Sequence, residues 1–462
     1  MQEIFQSLID SVPDYKAFMT VDEMDQSSKK LAEVHPECVT LTELGHSRAG
    51  HPLYCLKIGS GPKNALLFGC PHPNEPVGAM LLEHFSWKLA ESPELQKALG
   101  YTCYIVKAWD CDAVRLNEGW FKGPFTITNY ARNFFRPAGH QQVDWTFPID
   151  YKDLHFHQPI PETTAMMKLI DEIRPRFIYS LHNAGFGGVY WYVSHDVPEI
   201  REQMYAAAER QQVPLNLGEP EMPYCKAYAP AVYQKTTVRD SYDYMEQNGV
   251  ADVAARIRQG TCSADYGEDV CGAFTLLTEL PYFFDQRICD LSESDSLRRD
   301  VVLEKLDFDD VSNQLIARAL SEVGRYVSDD NPFKTTLESF TAPARNDAVR
   351  KMAESDPVYA RKATVAEAFS NRLVAKFYKL LSYGMLVRMH EHELGCMNGS
   401  GGQDDEKRAA LQAGREKALA AFDELARYLE ENIDYQAVPV RKLVSIQLES
   451  GLLVMQYLKE RQ

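Results

Sequence analysis

The chain has 462 residues, 45% hydrophobic content, and 49 Lys and Arg against 66 Asp and Glu, a formal charge of −17. That length can bury a large core and fits two or three domains. The acid excess argues against nucleic acid and other polyanions, because no surplus of cations exists to displace phosphate counterions. A neutral or basic small molecule is the easier partner.

The first residues, Met1-Gln2-Glu3-Ile4-Phe5-Gln6, lack the basic segment and apolar run of a secretory signal, and no stretch reaches membrane-spanning length. The expectation is a soluble cytoplasmic protein with no membrane partner. The ten cysteines are scattered without a Cys-x-x-Cys pair, and Cys55, Cys70 and Cys103 sit in apolar runs, where free thiols behave as small hydrophobes. Strand-like runs cover 53–58, 65–70, 101–109, 177–181, 189–194 and 275–280, with periodic helical stretches such as 162–173 between them. Such alternation predicts an α/β fold over residues 1–330.

After a looser segment at 329–333 the pattern becomes helical, giving a second unit over 331–462 with a polar break at Asn398-Gly399-Ser400-Gly401-Gly402. Phe369, Leu373, Phe377 and Leu380 form one stripe, and Leu411, Ala418, Phe422, Leu425 and Leu429 another. A third helix after Pro439, through Leu443, Ile446, Leu453 and Leu458, would complete an antiparallel bundle. Its faces are free either for a homo-oligomer or for leaning over a site.

Three of the strand-like runs carry chemistry. The run at 65–70 enters Pro71-His72-Pro73-Asn74-Glu75-Pro76, the run at 177–181 enters His182-Asn183, and the run at 275–280 contains Glu279. H-x-x-E alone is a loose pattern. Here it follows a buried-type strand, and Pro76 is placed to open a helix at 77–82, so the ligands lie beyond carboxyl ends of strands. A structural zinc takes four protein ligands, whereas a hydrolytic zinc takes three and keeps water in the fourth position. His72, Glu75 and His182 with a separate Glu279 fit the second arrangement, with one zinc per chain. In a strand, Thr275, Leu277 and Glu279 share a face, so Glu279 faces a cavity and is the candidate general base.

Two further segments are in order along the chain: Ser47-Arg48-Ala49-Gly50-His51-Pro52-Leu53 before the first ligand strand and Pro161-Glu162-Thr163 before the second. With the ligand motifs they resemble the zinc metallocarboxypeptidases, the carboxypeptidase A-like or funnelin family, over roughly residues 15–330. The resemblance implies a mixed twisted sheet flanked by helices, the same ligand set and an arginine that polarises the scissile carbonyl. Tyr130-Ala131-Arg132-Asn133-Phe134-Phe135-Arg136-Pro137 resembles that segment, with Arg136 the better match and Arg132 the second. Asp144 resembles the family's aspartate that holds the first zinc histidine. Where carboxypeptidases carry an Asn-Arg pair for the substrate's terminal carboxylate, this chain has Trp145-Thr146-Phe147. Arg258 is a compensating cation close to the family's mobile-tyrosine slot, and Tyr242, Tyr244 and Tyr266 are the nearby tyrosines.

Three functions are consistent with this set. The first is a zinc carboxypeptidase that removes a C-terminal residue from a small peptide or peptide-like metabolite. The second is a zinc amidase or deacylase on a small acyl-amino substrate that lacks the terminal carboxylate. The third is a non-catalytic zinc-bearing scaffold, which Glu279 disfavours because a scaffold needs no base. The lead before residue 40 has no room for a long inhibitory pro-segment, so a narrow funnel covered by 196–260 or by the helical part is the expected restraint. His155, His157, His195, His390 and His392 are expected to be ordinary.

Overall fold

Runs of buried residues build one large mixed sheet. The computed structural model describes residues 3–341, 346–399 and 405–461. Nine strands form the sheet: β1 (Val39–His46), β2 (Pro52–Ile58), β3 (Lys63–Phe68), β4 (Tyr101–Val106), β5 (Phe177–Leu181), β6 (Tyr190–Val193), β7 (Ala227–Ala229), β8 (Val232–Gln234) and β9 (Phe274–Glu279). Their spatial order is β1-β2-β4-β3-β5-β9-β6-β8-β7. The centre, β4-β3-β5-β9, is parallel, and antiparallel pairs flank it on both sides.

A parallel centre needs apolar residues on both faces. In β3, Ala65 and Leu67 enter one core while Leu66 and Phe68 enter the other. All six predicted strands are present, with ends moved by at most three residues. The sequence reading has no strand for β1, whose residues are largely exposed, nor for the three-residue strands β7, at the edge, and β8 beside it.

Helices cover both faces. The elements used below are α1 (Val77–Glu91), α2 (Ile127–Asn133), α3 (Pro161–Ile173), α4 (Pro198–Arg210), α5 (Ser263–Cys271), α6 (Arg298–Val323), α7 (Ala375–Gly399), α8 (Asp405–Asn432) and α9 (Val440–Glu460). α3 packs on one face through Met166 and Ile170, and α1, α4 and α9 pack on the other. α6, α7 and α8 pack together, and α7 also lies against α2. Of the polar break, residues 400–402 lie outside the described residues.

The third bundle helix is a correction. α9 lies on the sheet instead, because every residue from Leu443 to Met455 is buried and a helix with no solvent face cannot be the outer member of a bundle. Gly451 permits the contact: a Cβ there would stand 2.5 Å from Tyr179 Cε1. Gln447 Nε2 donates to the His182 carbonyl at 2.8 Å, and Tyr179 OH donates to the Gln447 carbonyl at 2.6 Å. The division at 330/331 is therefore no break in packing, since one apolar cluster runs from Phe5 to Leu458. All ten cysteines are free. Among the described residues, no helix is long and apolar enough to cross a membrane.

Candidate metal centre

The carboxyl ends of β3 and β5 are neighbours in the sheet, so the segments that follow them meet. His72 Nδ1 is 3.0 Å from Glu75 Oε1, His182 Nδ1 is 3.0 Å from Glu75 Oε2, and the two Nδ1 atoms are 3.2 Å apart. All three residues are buried. The Asn183 amide also donates to Glu75 Oε2 at 3.2 Å. His182 Nε2 is 2.7 Å from Ser180 Oγ. When Nε2–H donates to that oxygen, the Nδ1 lone pair is left facing the cluster.

These residues fit a zinc ion. Donors at about 2.0–2.1 Å from a tetrahedral metal stand about 3.3 Å from one another, close to the separations here. Burial, and after it the Arg136 charge, pushes His72 down to about 3, so its imidazole is neutral, the form that ligates. Burial alone would raise the Glu75 carboxyl, but contacts with His72 and His182 outweigh it and hold the group well below the usual range. Buried atoms that converge without enough protons to share are the signature of an ion site. His72 Nε2, on the far side of its ring, is buried without a hydrogen-bond partner.

Two charged residues complete the centre. Glu279 Oε1 lies 3.8 Å from His182 Nδ1. Its carboxyl is pushed well above the ordinary range by burial first and then by Glu75 and Glu221, with Arg136 opposing. Arg136 points inward, with Nη1 3.5 Å from Glu75 Oε1. Its Nε donates to Gln142 Oε1 at 3.2 Å, and its guanidinium lies 5.2 Å from the centre of the Trp145 ring.

The other expected residues lie elsewhere or make different contacts. Asp144 does not meet His72: its Oδ1 accepts the Ser263 amide at 2.7 Å, and burial lifts the carboxyl to about 6. Arg132 is turned away, donating to both oxygens of Glu391 on α7 at 2.6 and 2.7 Å. Tyr266 is tied to Asp171 at 2.8 Å and packs on Phe147, so it faces the outer core and not the centre. Arg258 is exposed and lines an open cavity of about 590 Å³ with His155 and His157. Thr146 and Phe147 are fully buried, which leaves neither able to take the place of the missing Asn-Arg pair.

Ser180 and Tyr378 were not singled out from the sequence. Ser180 precedes His182 by two residues, and that spacing places both on one face of the strand. Tyr378, on α7, is 43% exposed yet feels the charges of Glu221, Glu279 and Glu75. It therefore lies within electrostatic reach of those carboxylates. No short-range signal links it to the motifs, because it lies about 100 residues beyond Glu279 in a helical stripe.

A family model for zinc carboxypeptidases matches residues 24–267, more than half of the chain, taking in His72, Glu75, Arg136 and His182 and ending before Glu279. Among solved structures, carboxypeptidase A from Helicoverpa armigera is 16% identical, with a TM-score of 0.38, and the likeness covers 61% of this chain and 71% of that one. Bovine thrombin-activatable fibrinolysis inhibitor is 12% identical, with a TM-score of 0.37, over 57% of this chain and 87% of that one. A metallo-carboxypeptidase from Burkholderia cenocepacia is 14% identical, with a TM-score of 0.32, over 57% of this chain. The chain spans 60% of that last protein's length. No curated protein matches. With the family model covering more than half its length, and a His-Glu-His cluster at the strand ends, the chain belongs to the zinc carboxypeptidase family.

Proposed function

We propose that the chain hydrolyses an amide bond near the C-terminus of a small peptide or peptide-like metabolite, with one zinc held by His72, Glu75 and His182. The observation that carries this reading is the position of Glu279, a buried carboxylate 3.8 Å from His182 Nδ1, close to the three ligand atoms without being one of the converged set. A zinc ion bound there supplies Lewis acidity to the scissile carbonyl and to water. Glu279 Oε1 takes the proton of the attacking water and returns it to the leaving nitrogen. Arg136 presents Nη1 to the carbonyl oxygen as it gains negative charge, held in aim by Gln142 and Trp145. Ser180 keeps the His182 ring in the ligating tautomer.

Arg258 is the candidate anchor for a terminal carboxylate. It is exposed, and it lies two residues from Gly260, whose amide donates to the Trp145 carbonyl at 2.8 Å. The buried Thr146 and Phe147 favour a second reading, an amidase or deacylase whose substrate has no terminal carboxylate. Peptide acids compared with their C-terminal amides, with and without chelator, decide between them. Chelator-sensitive loss of one residue from the acids alone supports the carboxypeptidase. Equal cleavage of acids and amides supports the amidase, and cleavage that survives full removal of metal rejects both.

A further inference from the structure

Beside the metal centre stands a carboxylate with no cation. Glu221 lies in the loop between α4 and β7 and is exposed. Its Oε1 accepts Tyr190 OH at 2.7 Å and its Oε2 accepts Tyr192 OH at 2.9 Å. Among the described residues it makes no ion pair.

The sheet register fixes where this group sits. Across the antiparallel pair β9–β6, Glu279 is opposite Tyr190 and Leu277 is opposite Tyr192. Directly opposed residues point to the same face, so both tyrosines stand on the Glu279 side of the sheet, and Tyr190 is its immediate neighbour. Tyr233 extends the aromatic wall, with its ring centre 5.6 Å from that of Tyr192. Glu221 thus binds the hydroxyl of the residue directly opposite Glu279.

The loop that carries Glu221 is held in place. Glu219 pairs with Arg298 through two hydrogen bonds of 2.8 and 2.6 Å. Gly218 passes so close to the C-terminal region that a Cβ would stand 2.1 Å from Ser370 Oγ. The Leu217 amide donates to the Ile288 carbonyl at 3.1 Å.

Two carboxylates therefore face one mouth. Glu279 is buried, 3.8 Å from His182 Nδ1, and Glu221 has its oxygens aimed by two hydroxyls. A cation entering there meets the exposed Glu221 carboxylate, whose two oxygens are held in place by the hydroxyls of the buried tyrosines. Resting on the zinc-hydrolase reading of the adjacent cluster, we propose that Glu221, framed by Tyr190 and Tyr192, is a subsite for a positively charged group of the substrate. The substrate class is then a peptide or acyl-amino compound with an ammonium or guanidinium group within a side-chain length of the scissile bond.

The test uses the full-length protein and peptides that differ only in lysine, arginine, norleucine or glutamate at the last and next-to-last positions. Turnover is measured on the zinc-loaded protein, and dissociation constants are measured by calorimetry with and without zinc. A lysine or arginine peptide is expected to exceed its norleucine counterpart by at least about tenfold in kcat/KM and in affinity at one of the two positions. That ratio falls towards one in Glu221→Gln, and the glutamate peptide gains in Glu221→Lys. Tyr192→Phe, which keeps the ring and removes one hydroxyl, reduces the ratio by a smaller factor. Equal binding and turnover of lysine and norleucine peptides by the native protein would overturn the subsite and leave the hydrolase reading intact. Preferential binding of cationic peptides with no cleavage of any would overturn the hydrolase reading and leave the subsite standing.

Discussion

The two sides of the metal centre are supported by different parts of the fold. His72, Glu75, His182 and Glu279 sit at or just beyond the ends of β3, β5 and β9, adjacent parallel strands whose spacing is fixed by the sheet. Arg136, Glu221 and Tyr378 face them from loops and from α7. On this second side the C-terminal helices act as the scaffold. Arg388 on α7 donates to the carbonyls of Asn133, Phe134 and Leu116, just ahead of Arg136. Arg298 on α6 holds the Glu221 loop through Glu219. Strand ends position the candidate metal ligands, and the helical region holds the side chains that face them.

That contrast can be broken at several points. The largest effect belongs to the strand-end side: His182→Ala should reduce zinc from one per chain to near zero by elemental analysis and take turnover below detection. On the opposite side, Arg136→Ala should keep its zinc and lose about 10²–10³ in kcat. Arg132→Ala should leave kcat within a few-fold, because that guanidinium serves Glu391. An Arg132 variant as damaged in kcat as the Arg136 variant would show that the two have been assigned the wrong way round. Tyr378→Phe should lower kcat/KM by a factor of about 3–10 with folding unchanged, the loss expected of one hydroxyl hydrogen bond.

A separate effect is one of pH on stability. Asp110, just past β4, is fully buried with neither oxygen hydrogen-bonded, and burial lifts it to about 7, with Arg48 opposing. The folded state holds this proton more tightly than the unfolded chain, so it favours folding below the ordinary carboxylate range and the gain is lost as pH rises through about 7. Asp110→Asn should therefore raise stability over the native chain at pH 8, by on the order of 2 kcal/mol, and change little at pH 4 in paired denaturant titrations. Equal differences at both pH values would contradict it.

The same contrast explains what could be read from the residues alone. His72, Glu75 and His182 stand next to apolar runs whose period marks buried strands, so local pattern and chemistry coincide, and their atoms do converge in the structure. Glu279 was found by the face it shares with Thr275 and Leu277. Tyr378 and Glu221 carry no such mark, since their place depends on helix packing and on a loop anchored by Gly218 and Glu219. α9 shows its apolar stripe in the sequence, but Gln447, Ser450 and Gly451 are polar or small and carry no mark of burial, whereas in the fold they meet the His182 carbonyl, Trp191 and Tyr179. Asp144 matched by sequence position, yet a turn of the loop gives its oxygen to Ser263.

The most direct test of the account is Glu279→Gln, with zinc content and peptide hydrolysis measured on the same preparation as the native chain. The account predicts one zinc per chain in both, with turnover in the variant reduced about 10²–10⁴-fold. Full activity in a zinc-loaded Glu279→Gln protein would contradict it.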